Sequence, residues 1–350
     1  FFSGLAQTQM VDLIATRENC LVKVREGCQG VAAKAQHVSV DAAKLEEWAA
    51  TLDGEATSHR YTGDIQPFPI KFDSVDQEVN FHSILQMLNF GSAYQAYLKD
   101  RTAAEVIQYG MLGFVLSGRK LNVQTLCSMS LHEIGQAFGL QLREDRPVKP
   151  DSPITCEMDT ELAPFGKLLH KACEDTGRRL RELDCDDFAA FFRKFLDDSH
   201  PTASACVFVL QKHLPIFRDG YIVGDSEVLV LSKAQLLAAE LHRRFHFRAP
   251  LYDFGDLERL STPMNNVLPA LLASHGVLQY SPGLLEKLES GSEVSGTLEA
   301  ELRCVAVHAC QLLSQRLGIH CPALYFGLMD LAGEAPSNVK RHLTPNCLFF

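Results

Sequence analysis

The chain has 350 residues, 43 of them acidic and 33 basic, which gives a formal net charge of −10. This balance argues against a general nucleic-acid binder, because such proteins neutralise phosphates with a basic face. It leaves room for a small anionic ligand in a local basic pocket. A chain of this length can bury a sizeable core, and no apolar run approaches the roughly 20 residues that a membrane span needs.

The eleven cysteines are scattered along the chain and include no Cys-x-x-Cys pair. We therefore predict reduced, intracellular thiols and no zinc site. We also expect no cofactor. The chain begins Phe1-Phe2-Ser3 rather than with methionine. Either a removed organellar presequence or a fragment explains this start. We expect a cytoplasmic protein, or a mitochondrial or plastid one if a presequence is cleaved.

Hydrophobic periodicity predicts a series of amphipathic helices. They lie at residues 42–52 (with Trp48), 79–90, 102–117, 131–138, 162–183, 188–196, 203–214, 234–245 and 298–317. Residues 54–66 are polar and turn-rich, and residues 67–72 are expected to be extended because each proline restricts its predecessor. The charged, proline-containing stretch 144–152 is the best candidate for an internal loop or boundary.

A β-hairpin is predicted where this helical pattern breaks. Residues 221–223 and 228–231 are apolar, and Gly224-Asp225-Ser226-Glu227 separates them. Strands do not alternate with helices elsewhere, and no linker is long or polar enough to isolate two cores. We therefore predict a mainly α, single helical domain over residues 1–350 with a small β-hairpin.

The stretch 256–287 contains the clearest helix boundaries. Ser261-Thr262-Pro263 favours a turn, and Asn265 stands where an N-cap is expected before a short apolar helix. Gly276 is suited to end that helix in a left-handed conformation, and Ser281-Pro282-Gly283 to open the next one. Asn265 therefore either caps the helix or carries chemistry at its mouth.

Three charged groupings have both a structural and a functional interpretation. Arg218-Asp219 is either a catalytic pair or, as we favour, a salt bridge that holds the turn before the hairpin. Glu299 and Arg303 are four residues apart on a predicted helix, which favours an ordinary ion pair. The basic run at 242–248 lies at a helix C-terminus, which favours a solvated helix end over a phosphate site.

The segment Leu88-Asn89-Phe90-Gly91-Ser92-Ala93-Tyr94 follows a buried helix. An asparagine and two aromatic rings near a tight turn can hold a planar base by hydrogen bonding and stacking. The alternative is a helix C-cap with core aromatics, and the pattern by itself favours that alternative.

Several motifs occur in a fixed order along the chain. They are Leu88-Asn89-Phe90-Gly91-Ser92, Leu214-Pro215-Ile216-Phe217-Arg218-Asp219, Ser232-Lys233-Ala234-Gln235-Leu236-Leu237, Asn265-Asn266-Val267-Leu268-Pro269, His275-Gly276-Val277-Leu278, Glu301-Leu302-Arg303 and the aromatic terminus after Arg341-His342. Together they resemble the queuosine salvage proteins, the queuosine 5′-phosphate N-glycosylase/hydrolases, and most closely their plant, algal and fungal type. The resemblance covers residues 79–350 and leaves 1–78 as a divergent N-terminal part.

This resemblance implies a helical fold akin to the helix-hairpin-helix DNA glycosylases. It also implies hydrolysis of the N-glycosidic bond of queuosine 5′-monophosphate, which releases queuine for tRNA modification. Such hydrolysis passes through an oxocarbenium-like sugar, which a carboxylate can stabilise while it activates water. By resemblance, the catalytic position is Asn265, no metal takes part, and the substrate-binding residues are Asn89, Phe90, Tyr94, Lys233 and Arg303.

The chain departs from the family pattern in the presumed pocket. Asn265 replaces the usual aspartate, and an asparagine is neutral and cannot take a proton at neutral pH. Other expected residues are also replaced: a lysine by Ser232, an aspartate by Gln86, and the two ends of an Asp-x-x-x-Trp pattern by Tyr325 and Met329.

Two hypotheses follow from this combination of resemblance and departure. The first is a working nucleosidase that acts on queuosine 5′-monophosphate or a related nucleotide. The second is a catalytically inactive homologue that serves as a structural or binding subunit of a larger assembly, in an organelle if the N-terminus is processed. A weaker third is a pocket that senses a nucleoside without cleaving it. Protein partners follow only from the second hypothesis, and none of the three implies direct nucleic-acid binding.

Overall fold

The computed structural model describes residues 19–63, 70–149, 154–197, 199–334 and 340–350. Within these residues the chain is mainly helical, with short antiparallel strand pairs, which confirms the predicted fold class and its small hairpin. The described residues form two compact units, the first drawn from residues 1–65 and 196–343 and the second from residues 66–195 and 344–350. The assignment of a single domain stays a prediction.

The helices and strands are numbered separately in chain order. The helices are α1 (Cys20–Ala32), α2 (Ala42–Ala49), α3 (Gly54–Thr62), α4 (Val75–Leu88), α5 (Ala103–Leu116), α6 (Val123–Ser128), α7 (Leu131–Phe138), α8 (Ala163–Glu182), α9 (Phe188–Phe195), α10 (Ala203–His213), α11 (Ser232–Phe245), α12 (Val267–Ser274), α13 (Pro282–Ser290), α14 (Gly296–Leu317) and α15 (Cys321–Glu334). The strands are β1 (Val38–Val40), β2 (Arg143–Pro147), β3 (Thr155–Asp159), β4 (Gly220–Val223), β5 (Ser226–Leu229) and β6 (Leu278–Tyr280).

The first unit is built around α14, which contacts α1, α2, α12, α15 and strands β1 and β4. The buried residues of α14 lie on most sides of the helix, as expected of a helix with neighbours all round. Strand β4 pairs with β5 as a hairpin, and β1 pairs with the distant strand β6. These contacts bring the end of the hairpin and the start of α12 to the same central helix.

The second unit packs α4 against α9 and α5, and α6 and α7 against α8. Strands β2 and β3 form an antiparallel ribbon whose strand residues are all at least partly exposed. An ion pair between Arg143 and Glu157, at 2.7 Å, connects the two strands. A ribbon exposed on both faces has no apolar alternation, so the sequence pattern that identifies most strands is absent here.

Local capping sets many of the helix starts. Asp41 and Asp53 accept backbone N–H groups at the starts of α2 and α3. Thr102 with Glu105, and Ser130 with Glu133, form capping boxes at the starts of α5 and α7. Gly276, at φ +73°, follows the end of α12, and Pro282 opens α13, as predicted.

Two loop predictions were wrong. Residues 54–62 form α3 rather than a turn-rich segment, because packing against α15 stabilises a helix whose sequence is mostly polar. Residues 144–147 belong to strand β2 rather than to a loop. Residues 63, 148 and 149 are bends, in agreement with those predictions. The other parts, at 64–66 and 150–152, and residues 67–69 of the predicted extended stretch, lie outside the described residues.

The basic end of α11 also differs from the prediction of a solvated helix end. The side chains of Arg243 and Arg244 are 16% and 15% exposed and pair with Glu240. Arg243 also lies 4.7 Å from the ring centre of Phe326, in a cation–π contact. Among the described residues, no helix is long and apolar enough to cross a membrane.

Candidate active site

Asn265 caps α12 with its side chain. Its Oδ1 accepts the backbone N–H groups of Val267 at 2.9 Å and Leu268 at 3.1 Å, which confirms the predicted capping role. The neighbouring Asn266 is buried and instead donates from Nδ2 to the carbonyl of His342, at 3.1 Å. The oxygen at position 265 is therefore held by the first turn of the helix.

The other side of the Asn265 amide meets α15. Its Nδ2 lies 3.4 Å from Sδ of Met329. Tyr325 is also a neighbour: burial raises the pKa of Tyr325, nearby Glu240 raises it further, and a hydrogen bond with Asn265 opposes both. Asn265, Tyr325 and Met329 thus form one neutral cluster of amide, phenol and thioether.

Arg303, on α14, is fully buried and forms a two-pronged ion pair with Asp219. Its Nη1 and Nη2 donate to the two carboxylate oxygens at 2.8 and 2.7 Å. Burial acts to lower the pKa of Arg303, but attraction to Asp219 and Tyr221 outweighs burial and keeps it well above the ordinary value. A fully buried guanidinium requires such a partner.

This pairing corrects two predictions about charged neighbours. Asp219 pairs with Arg303 and not with Arg218, which lies 3.5 Å from Glu227 across the hairpin. Glu299 accepts a hydrogen bond from the hydroxyl of Tyr221 at 2.8 Å, so its closest partner is not the arginine four residues later. Burial raises the pKa of Glu299.

The buried arginine also joins the two segments that carry candidate site residues. Its Nη2 donates to the carbonyl of Met264 at 2.8 Å and to Oγ of Ser232 at 3.0 Å. Met264 in turn donates its N–H to the same Ser232 Oγ, at 2.9 Å. Met264 immediately precedes Asn265, and Ser232 immediately precedes Lys233. Direct contact between Arg303 and a substrate stays a prediction, but these bonds favour a supporting role.

Lys233 lies in the first turn of α11 and is 3% exposed. The residue two positions earlier, Leu231, has φ +51°, a left-handed conformation that is strained for leucine. Its N–H donates to the carbonyl of Asp219 at 3.0 Å, which helps to hold the strained turn. The sequence did not identify Leu231, because no local pattern marks its strained conformation. It also did not show that Asp219 and the Ser232 hydroxyl are partners of Arg303.

In the second unit, Phe90 and Tyr94 pack against Phe165. Their ring centres lie 6.1 and 5.3 Å from that of Phe165, the first edge-on and the second stacked. Burial raises the pKa of Tyr94, whose hydroxyl donates to Oδ1 of Asn346 at 3.4 Å. Asn89 donates from Nδ2 to Gln86 at 3.3 Å, at the end of α4. These contacts match the alternative of a cap with core aromatics, and base binding stays a prediction.

Among the cavities lined by described residues of the second unit are ones of about 710 and 940 Å³. The first is lined by α7 and the segment that follows it, and the second is polar and includes Asn80, Arg119 and Asp186. Neither is lined by Asn89, Phe90 or Tyr94. In the part of the chain that the structure describes, no group of three or more His, Cys, Asp or Glu side chains could hold a metal ion.

Known proteins include a family whose sequences are similar to one region of this chain. That region contains Asp219, Lys233, Asn265 and Arg303. Residues 152–322 match the sequence model of the family described as queuosine salvage protein. This match is shorter than the predicted range of 79–350 and does not include Asn89, Phe90 or Tyr94.

Two curated relatives carry the name queuosine 5′-phosphate N-glycosylase/hydrolase. The one from Dictyostelium discoideum is 27% identical over 166 residues, which cover 46% of this chain and 51% of that protein. The one from Sphaerobacter thermophilus is 26% identical over 156 residues, which cover 43% of this chain and 48% of that protein. The matched part of the chain spans about half the length of these relatives. The region from residue 152 to residue 322, just under half of the chain, is therefore similar at low identity to the queuosine salvage proteins.

Proposed function

We propose that the chain binds queuosine 5′-monophosphate and hydrolyses its N-glycosidic bond slowly, releasing queuine for tRNA modification. The family match over residues 152–322 supports this proposal, because it contains Lys233 and position 265 in the expected order. Lys233 supplies a cation for the 5′-phosphate, and position 265 lies at the start of α12. Base binding by Asn89, Phe90 and Tyr94, in the second unit, stays a prediction from the resemblance.

The proposed chemistry is limited by the amide at position 265. Cleavage of an N-glycosidic bond develops positive charge on the sugar, and an ionised carboxylate stabilises that charge and takes a proton from the attacking water. Asn265 can do neither, because its amide is neutral and its Oδ1 already accepts two backbone N–H groups. It can at most orient a water molecule, so we expect turnover far below that of an aspartate-bearing enzyme.

A second candidate function is a catalytically inactive homologue that binds a nucleotide or serves as a subunit of a protein assembly. One observation favours it: Asn265 contacts Tyr325 and Met329, so the three departures from the family pattern are neighbours. A single chance replacement would not be expected to be accompanied by changes in its contacts. Because all three groups are neutral, none of them supplies the charge that hydrolysis needs.

The replacement Asn265→Asp separates the two functions. An aspartate keeps the same two capping bonds, and the N-terminus of α12 favours its ionised form. We expect queuine release from queuosine 5′-monophosphate to rise by about 10²-fold or more, the range for a restored acid–base group. Release is measured by chromatography, and binding by titration calorimetry.

The matched control is Asn122→Asp, because Asn122 also caps a helix. Its Oδ1 accepts the backbone N–H of Thr125 at 3.1 Å, at the start of α6. This control should leave queuine release unchanged. Binding without release, in both the natural chain and Asn265→Asp, would support the inactive alternative. If neither protein binds queuosine 5′-monophosphate, the nucleotide proposal itself is wrong.

A further inference from the structure

We propose that Ser232 and Arg303 are positioning residues that fix the segment before Asn265 against the segment before Lys233. The ligand-related part of this inference rests on the proposed function, whereas its geometric part rests on hydrogen bonds alone. Neither side chain needs to touch a ligand for this role. Both act through the backbone of the residues next to them.

The Ser232 hydroxyl links the two segments by hydrogen bonds. It accepts the N–H of Met264 at 2.9 Å and a guanidinium N–H of Arg303 at 3.0 Å. Both contacts are buried. A hydroxyl oxygen has two acceptor sites, so these two donors use its full accepting capacity. The start of α11 and the residue before Asn265 therefore share one oxygen atom.

Arg303, on α14, stabilises this link with further hydrogen bonds. The same Nη2 atom that contacts Ser232 also contacts the Met264 carbonyl, at 2.8 Å. Met264 is thus held at both its N–H and its carbonyl, by Ser232 and Arg303 respectively. The planar guanidinium can serve several acceptors in one fixed geometry, which the compact ammonium of a lysine cannot.

Asp219 orients the arginine and also binds the start of α11. Its Oδ2 accepts the N–H of Ser232 at 3.2 Å, besides the Arg303 guanidinium. Its backbone carbonyl accepts the N–H groups of Val230 and Leu231, at 2.9 and 3.0 Å. The strained turn before α11 is therefore held in place by the residue that pairs with Arg303.

This arrangement gives a reason for serine at position 232, where the resemblance leads one to expect lysine. The Ser232 Oγ lies at hydrogen-bond distance from a buried cation. A lysine at this position has no oxygen to accept the two donors, and it would leave the Met264 N–H without its partner. Ser232 is then a structural element of this chain and not a deleted phosphate contact.

The test compares Ser232→Ala with Ser314→Ala. Ser314 is a buried serine of the same unit whose hydroxyl donates to the carbonyl of Ile319, away from both segments. Amide hydrogen exchange of the peptide over residues 257–268 is followed by mass spectrometry, and binding of queuosine 5′-monophosphate by calorimetry. Ser232→Thr keeps the hydroxyl and serves as the conservative rescue.

We expect Ser232→Ala to speed exchange in this peptide and to weaken binding by about tenfold, the effect of one well-placed hydrogen bond. Ser314→Ala should leave both quantities unchanged, and Ser232→Thr should restore them. Equal exchange in Ser232→Ala and Ser314→Ala would overturn the geometric part of the proposal. Faster exchange with unchanged affinity would overturn its link to the ligand. If the natural chain does not bind the nucleotide at all, the proposed function fails, and the exchange comparison still decides whether Ser232 holds this segment.

Discussion

Gly91 determines how closely the chain after α4 approaches the aromatic cluster around Phe165. Its φ is +103°, a backbone angle that side-chain-bearing residues rarely adopt. A Cβ atom built on it would lie 2.2 Å from Cε2 of Phe165. The N–H of Gly91 also donates to the carbonyl of Phe350, at 3.2 Å. Glycine is thus required here both by the backbone and by the space available to the ring.

We expect Gly91→Ala to lower the free energy of unfolding by about 2 to 4 kcal/mol, from backbone strain plus displacement of Phe165. Urea denaturation measures this change. Gly118→Ala is the matched control, because Gly118 has φ +71° and, in the described part of the chain, no atom lies within 4 Å of its built Cβ. That control should cost about 1 kcal/mol, the backbone contribution alone. Equal losses in the two variants would contradict the role of the ring contact.

At the scale of elements, the packing of α3 on α15 depends on a small residue. A Cβ atom at Gly327 would lie 2.4 Å from Cγ2 of Thr57. Thr57 has little freedom to move away, because its hydroxyl donates to the carbonyl of Asp53 at 2.6 Å. The two helices can approach this closely only because position 327 lacks a side chain.

We expect Gly327→Ala to destabilise the protein by about 1 to 3 kcal/mol, since overpacking must move Thr57 or separate the helices. Gly333, also in α15, supplies the control, because no atom of the described residues lies within 4 Å of its built Cβ. Gly333→Ala should stabilise by about 0.5 to 1 kcal/mol, because alanine restricts the unfolded chain and favours a helix. Both free energies follow from urea denaturation. A stabilising effect of Gly327→Ala would mean that the close approach does not exist in solution.

The helices that could be predicted from sequence are those with an apolar face. The limits of α7 (Leu131–Phe138) were predicted to the residue, with Gly139 following it in a left-handed conformation. Helix α3 was missed because only Thr57 and Tyr61 are buried in it, so it has no apolar stripe to detect. The β4–β5 hairpin was predictable because its two strands are adjacent in the sequence and joined by a short turn. Strand β1 pairs with β6 across most of the sequence, and no local pattern specifies such a partner.

In the candidate site too, contacts between residues close in sequence could be predicted, and contacts between distant residues could not. The capping role of Asn265 depends on residues 267 and 268, so the local sequence was enough to predict it. The pairing of Asp219 with Arg303 joins positions 84 residues apart, and the sequence favoured the nearer partners Arg218 and Glu299. Those neighbours have other partners, Glu227 for Arg218 and the hydroxyl of Tyr221 for Glu299. A fully buried arginine requires a carboxylate that is buried with it, and Asp219, at 0% exposed, supplies one.

At the scale of the whole molecule, buried neutral histidines make stability depend on pH. His342 is 2% exposed, and burial, followed by repulsion from Arg303, lowers its pKa from 6.5 to about 3. His242 has a pKa lowered to about 4, first by burial and then by repulsion from His246, while Asp253 opposes the shift. In both cases the folded protein binds a proton less readily than the unfolded chain does.

The sign of the pH effect follows from these lowered pKa values. Above 6.5 neither state is protonated at these histidines, so their burial carries no proton-linked penalty. As the pH falls below 6.5, His342 becomes protonated in the unfolded chain. In the folded protein it stays neutral until the pH approaches about 3. Stability is therefore lost on acidification, by about 2 kcal/mol for one histidine between about pH 7.5 and about pH 5.

We expect His342→Gln to remove this part of the pH dependence, because glutamine does not titrate. The measurement is the free energy of unfolding in urea at about pH 7.5 and about pH 5, a window that stays above most carboxylate pKa values. The natural chain should lose about 2 kcal/mol more than His342→Gln over that interval. His132→Gln is the control, since His132 is exposed and its replacement should keep the full loss. Equal losses in the natural chain and His342→Gln would mean that His342 is protonated in the folded protein at about pH 5, and that the Arg303 region is accessible to water there.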